Sequence, residues 1–180
     1  FCRHLHQVKK LLRNSENNGG HMGILGSYMS IEENLFEQAI RGEGEAIGVE
    51  KFQQLDIDKS WEMIHFLLCR CKENGEPPMG YVVPMRDENE LDFGEDTDGR
   101  VFYITAQQVR EADEFVQSLS DDALREMYDF KEMQKNGVYP LYGKEDASEI
   151  YDYIYFFLTK IREFYHQAAE KGHAISLTIC

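Results

Sequence analysis

The stretch ASEIYDYIYFFLTKIREFYHQAAEKGHAISLTI, residues 147–179, decides the fold class. Ile150, Ile154, Phe157, Leu158, Ile161, Phe164, Tyr165 and Ala168 recur at the three-to-four residue spacing of one helical face. A stripe that broad predicts a long helix over Ala147–Lys171, buried against a sheet or several helices. Gly172 follows at the position where a helix turns left-handed, and Ala174–Ile179 then reads as a strand. A long helix running straight into a strand, with no βαβ rhythm upstream, points to an α+β chain.

Working back from that end, Thr105 and Gln108 make a capping box for a helix faced by Val109, Ala112, Phe115, Val116 and Leu119. A strand over Arg100–Thr105 precedes it. Ser120 starts a further helix carrying Leu124 and Met127, and Asp129 with Glu132 opens a short one carrying Met133. Residues 72–99 are the least regular part, with Pro77, Pro78 and Pro84, and Tyr81-Val82-Val83 reads as a short edge strand. Asp58 is the expected N-cap of a helix reaching about Arg70, with Ile64, Leu67 and Leu68 as its buried stripe. Gly23 to Ile31 reads as a first strand. Ser30 and Glu33 fit a capping box for a helix faced by Ile31, Leu35, Phe36, Ala39 and Ile40, and a glycine-rich loop spans Arg41–Gly48. The expected architecture is one compact α+β domain, a small sheet packed against several helices including the long C-terminal one.

The chain has 180 residues, 42% of them hydrophobic, enough for one core. No apolar run is long enough to span a bilayer, so no membrane role is expected. The net charge of −14 opposes binding to phosphate backbones, so no nucleic acid is expected either. Residues 1–21 carry four basic and one acidic side chain, against 15 basic and 32 acidic in the other 159. The sign reverses at Asn17-Asn18-Gly19-Gly20-His21-Met22. Residues 1–21 are therefore expected to be an extension outside the domain, a cloning scar or upstream read-through, with the domain covering 22–180.

Cys2, Cys69, Cys71 and Cys180 have neither a disulfide framework nor zinc-ligand spacing, which fits reduced thiols in a cytoplasmic protein. No metal site and no cofactor are expected. Asp96-Thr97-Asp98-Gly99 is only a fragment of a calcium loop, and no phosphate-cradling glycine motif occurs. The segment Leu55-Asp56-Ile57-Asp58-Lys59-Ser60-Trp61-Glu62-Met63-Ile64-His65 concentrates the residue types chemistry needs. Trp61 and His65 are four residues apart on one helix face, and a carboxylate near the imidazole would make a general base. In the plainer reading Asp58 caps, Trp61 is core and His65 is a hydrogen-bonded half-buried histidine. Tyr151, Tyr153, Tyr155 and Phe156 lie off the main stripe of the last helix, as further core or as an exposed patch.

Met22-Gly23-Ile24, Leu55 to Trp61 with His65-Phe66-Leu67-Leu68, Tyr103-Ile104-Thr105 with Gln108-Val109, Val138-Tyr139-Pro140, and Phe164-Tyr165 with Ala168-Ala169 and Gly172 together resemble the YfbM-like family. The resemblance covers about residues 22–179. It implies a compact α+β domain in a small bacterial cytoplasmic protein and supplies no catalytic residues. Where relatives carry a glycine-proline-alanine run before the tyrosine strand, this chain has Gly99-Arg100-Val101-Phe102, so a pocket shaped by that turn would differ here. Two functions follow as expectations. One is an interaction module whose acidity docks a basic protein partner, an immunity or antitoxin-like protein being one version. The other is an enzyme or small-ligand binder with a pocket lined by Asp56, Asp58, Trp61, His65, Tyr103 and Tyr139.

Overall fold

Four antiparallel strands lie in the order β2-β1-β4-β3, so the first and last strands sit side by side at the centre. The computed structural model describes residues 23–41, 52–92 and 99–180. β1 is Gly26–Glu32, β2 Gln53–Asp58, β3 Arg100–Ile104 and β4 His173–Ile179. The helices are α1 (Glu33–Arg41), α2 (Trp61–Cys69), α3 (Ala106–Ser118), α4 (Asp121–Met127), α5 (Phe130–Lys135) and α6 (Ala147–Lys171). The expected extension 1–21, the Met22 boundary, residues 42–48 of the expected loop and the Asp96–Asp98 part of the calcium fragment lie outside the described residues.

The side-chain alternation of the strands divides the sheet into two faces. Tyr28, Ile57, Phe102, Ile104, Ile175, Leu177 and Ile179 join the main core with α2, α3 and the apolar stripe of α6. Met29 and Ile31 face the other way and meet Phe36 of α1, with Leu35, Phe52, Leu91 and Tyr103 around them. Helix α6 spans the residues its periodicity predicts. Asp146 caps its start, and Gly172, at φ 65°, donates its N–H to the carbonyls of Ala168 and Ala169. A positive φ there is what only glycine adopts without strain. Thr105, Ser120 and Asp129 cap α3, α4 and α5, the first through the complete box with Gln108.

Three local expectations are corrected by long-range partners. Ser30 caps nothing: it is buried in β1 between Gln53 and Ile175, and the strand runs on until α1 begins at Glu33. The Glu33 carboxylate instead accepts from the N–H of Ala106, across the fold. Residues 81–83 form no edge strand. A 3-10 turn at Met79–Tyr81 leads into buried Val82 and Val83. Their carbonyls are taken by side chains: Tyr28 and Tyr165 hydroxyls donate to Val82, Tyr165 also to Tyr81, and His65 to Val83. Gly80 makes that turn possible, because a Cβ there would stand 1.9 Å from the Gly75 carbonyl oxygen. Finally, Asp58 is the last residue of β2 rather than a cap. Ser60 precedes α2, and its hydroxyl donates to the Ile57 carbonyl.

Candidate functional site

At the end of β2 the chain turns sharply into α2, and Asp58 takes φ 49°. Its N–H donates to Asp56 Oδ1 at 2.7 Å, and its Oδ2 accepts from the Tyr153 hydroxyl at 2.8 Å. The same hydroxyl oxygen accepts from Lys59 N–H at 3.2 Å. Burial and the Asp58 carboxylate both push the Tyr153 phenol up, so it stays a donor. Trp61 follows at the helix start and stacks on Tyr139 at 5.5 Å and 27°. Both anchor the incoming chain: the indole N–H donates to the Ile24 carbonyl, and the Tyr139 hydroxyl accepts from Ile24 N–H. Asp56, Asp58, Trp61 and Tyr139 thus gather at one corner, joined there by Lys59 and Tyr153.

His65 and Tyr103 do not belong to that corner. His65 lies in the main core, its Nδ1 donating to the Val83 carbonyl at 2.8 Å. Burial lowers its pKa, so the ring is held neutral, with Nε2 3.9 Å from Cys71 Sγ. Tyr103 is in β3 on the opposite face of the sheet, stacked on Phe36 at 4.5 Å. The sheet stands between it and α2, which packs on the other face.

A carboxylate that the sequence reading passed over sits beside the corner. Glu62 is 7% exposed in the second position of α2, the one acid in an otherwise apolar turn. It accepts from Tyr139 N–H and lies 3.5 Å from Lys72 Nζ, which also donates to the Gly137 carbonyl. Burial pushes its carboxyl up, against the pull of the Tyr139 amide and Lys72. Among the described residues no three His, Cys, Asp or Glu side chains converge as metal ligands. Cys69 and Cys71 are unbridged thiols, and burial pushes Cys69 up to about 12, so it stays protonated. Arg100, the departure from the family turn, pairs with Glu90 at 2.7 Å and also reaches Glu73.

The outward side of α6 has a different character. Tyr151 is buried and Tyr153 and Tyr155 are half-buried, whereas Phe156 is 53% exposed. Exposed Glu149, Asp152 and Glu163 lie seven and four residues before it and seven after it, on its side of the helix. The Lys160 ammonium stands 4.2 Å over the Phe156 ring. No described helix is long and apolar enough to cross a membrane.

A family model described as "Domain of unknown function (DUF1877)" matches residues 22–178. No curated protein matches. Among solved structures the chain is similar to the crystal structure of a protein of unknown function, YfbM from Escherichia coli. The TM-score is 0.65 at 20% identity, covering 87% of this chain and 99% of that one. At that identity the likeness establishes the fold.

Proposed function

The chain belongs to the DUF1877 family of domains of unknown function, and from that premise we propose that it is a protein-interaction module whose acidic surface docks a basic protein partner. The observation that carries the reading is Phe156, an aromatic ring left 53% exposed within an acidic helical stripe. An aromatic side chain offers about 150–250 Å² for burial. Covering the exposed half is worth about 2–3 kcal/mol at the usual coefficient for apolar area. Lys160 over the ring illustrates the chemistry a partner's cation would use there. The net charge of −14 favours fast encounter with a positively charged surface. A toxin whose basic surface is its working surface would be masked by such a module.

The test is a paired capture at low salt, with the wild-type chain and Phe156→Ala immobilised side by side. The expected result is a stoichiometric basic protein held by wild type, lost from Phe156→Ala, and released steeply as salt rises. Identical retention on both columns, or no stoichiometric protein on either, refutes the reading.

One observation favours a second reading, a small-ligand site at the Asp56–Trp61 corner. Asp58 is held in a left-handed conformation that costs a non-glycine residue about 1–3 kcal/mol, and such strain concentrates at binding sites. Trp61 is the single tryptophan, so its emission reports events there. A saturable shift with one of a panel of amines and sugars, lost in Asp58→Asn, supports this reading. A panel that leaves the emission unmoved counts against it.

A further inference from the structure

On the flank of α3, a shallow groove of about 460 Å³ runs between Pro77, Pro78, Glu111, Glu114 and Phe115. That volume lies within the roughly 300–1,000 Å³ range of ligand sites. Its apolar lining is Pro77, Pro78 and the half-buried Phe115. One wall is anionic, because Glu111 and Glu114 are three residues apart on α3 and so neighbours on its surface. Among the described residues no cation lines the groove. Arg110, one turn before Glu114, turns its guanidinium to Gln107 Oε1 at 2.7 Å instead. Glu111 accepts from the Gln107 amide, and neither glutamate has an ion pair among the described residues.

We infer that this groove receives one arginine side chain of the basic partner. The two carboxylates match the donor fork of a guanidinium, and the proline and Phe115 rings match its planar face and aliphatic stem. Arginine fits better than lysine for two physical reasons. Its guanidinium is weakly hydrated and stacks on aromatic rings, whereas an ammonium is a compact, strongly hydrated charge. A neutral isostere has the same stem and plane but gains nothing from the anionic wall. The inference deepens the docking reading and rests on it for the identity of the partner as a basic protein; the guanidinium pocket itself does not depend on Phe156.

The experiment follows backbone amide shifts of the full chain during titration with N-acetyl-arginine amide, with N-acetyl-citrulline amide and N-acetyl-lysine amide as controls. The expected result is a saturable shift confined to Glu76, Met79 and Glu111–Phe115, with a dissociation constant in the millimolar range for so small a probe. Lysine amide binds more weakly and citrulline amide does not saturate. The double variant Glu111→Gln, Glu114→Gln weakens the arginine probe at least tenfold, while Phe156→Ala leaves it unchanged. Both glutamates are on the surface, so the melting curve of the double variant stays close to wild type. Equal shifts from citrulline amide, or arginine shifts spread over all acidic segments, overturn the inference. Capture of a basic protein that depends on Phe156 but not on Glu111 and Glu114 would sink the groove and spare the docking reading. Saturable arginine binding without any basic protein partner would do the reverse.

Discussion

Truncating Glu62 to alanine isolates the bond that fastens the 138–141 turn to the core. Two interactions are lost, and they are unequal. Lys72 is 45% exposed and 3.5 Å away, so solvent screens the ion pair to well under about 1 kcal/mol. The hydrogen bond from Tyr139 N–H to a buried, charged acceptor is worth about 1.5–3 kcal/mol. Without it the amide is left unsatisfied, or the turn loosens and withdraws the Tyr139 ring from Trp61. The expected cost of Glu62→Ala is therefore about 2–3 kcal/mol, a fall in Tm of roughly 5–10 °C for a domain of this size. Glu62→Gln keeps an acceptor for Tyr139 and removes the charge, so it stays within about 1 kcal/mol of wild type at pH 7. Because burial raises the carboxyl above its ordinary 4.5, the favourable protonated form is fully present below that value. Its contribution is lost as pH rises through the folded pKa. The stability of Glu62→Gln relative to wild type should accordingly rise with pH over that window. Urea denaturation of wild type, Glu62→Ala, Glu62→Gln and Lys72→Met between pH 4 and 8 measures all of this. If Glu62→Gln is as damaged as Glu62→Ala, or Lys72→Met matches both, the ion pair and not the amide bond holds the turn, and the reasoning is refuted.

The buried tyrosine pair makes a sharper packing test. Tyr28→Phe should cost about 1 kcal/mol, since Val82 keeps one donor, and Tyr165→Phe more, since the Tyr81 carbonyl loses its hydroxyl donor as well. The double variant strips both, so calorimetry should give a loss larger than the sum. His65 sets a pH signature of the opposite kind to Glu62. Its pKa is lowered by burial from 6.5, so its contribution is complete above that value and declines as pH falls toward the folded pKa. Urea midpoints should therefore drop more steeply below pH 6.5 in wild type than in His65→Gln; parallel curves would show that the histidine does not titrate on unfolding. Thr105→Ala removes a complete capping box at the start of α3 and should cost about 0.5–2 kcal/mol by thermal melting, with Thr105→Ser close to wild type.

Candidate-site residues were legible in the sequence where they are close in the chain. Asp56, Asp58 and Trp61 do gather, because a strand end and a helix start three residues apart leave little choice. Tyr139 reaches the same corner only because Glu62 and Ile24 hold it there. Glu62 was invisible as a functional group, since a single acid in an apolar helix gives no hint of a partner 77 residues on. The exposed Phe156 was half-legible: it lies off the apolar stripe of α6, but periodicity does not say whether another element covers that side.

By itself the sequence determined the elements whose signals are contiguous. Helix α6 and β4, and the caps at Thr105, Ser120, Asp129 and Gly172, follow from periodicity and from hydrogen bonds made within a few residues. The tertiary structure alone decided where backbone groups found distant partners. Ser30 stays in a strand because β2 and β4 flank it on both sides. Val82 and Val83 stay out of one because side chains 18 to 83 residues away occupy their carbonyls. Tyr103 is parted from Trp61 because the sheet has two faces, and strand alternation does not reveal which face α2 will cover. Local chemistry is written in neighbouring residues, whereas a buried carbonyl accepts whichever donor the whole fold brings to it.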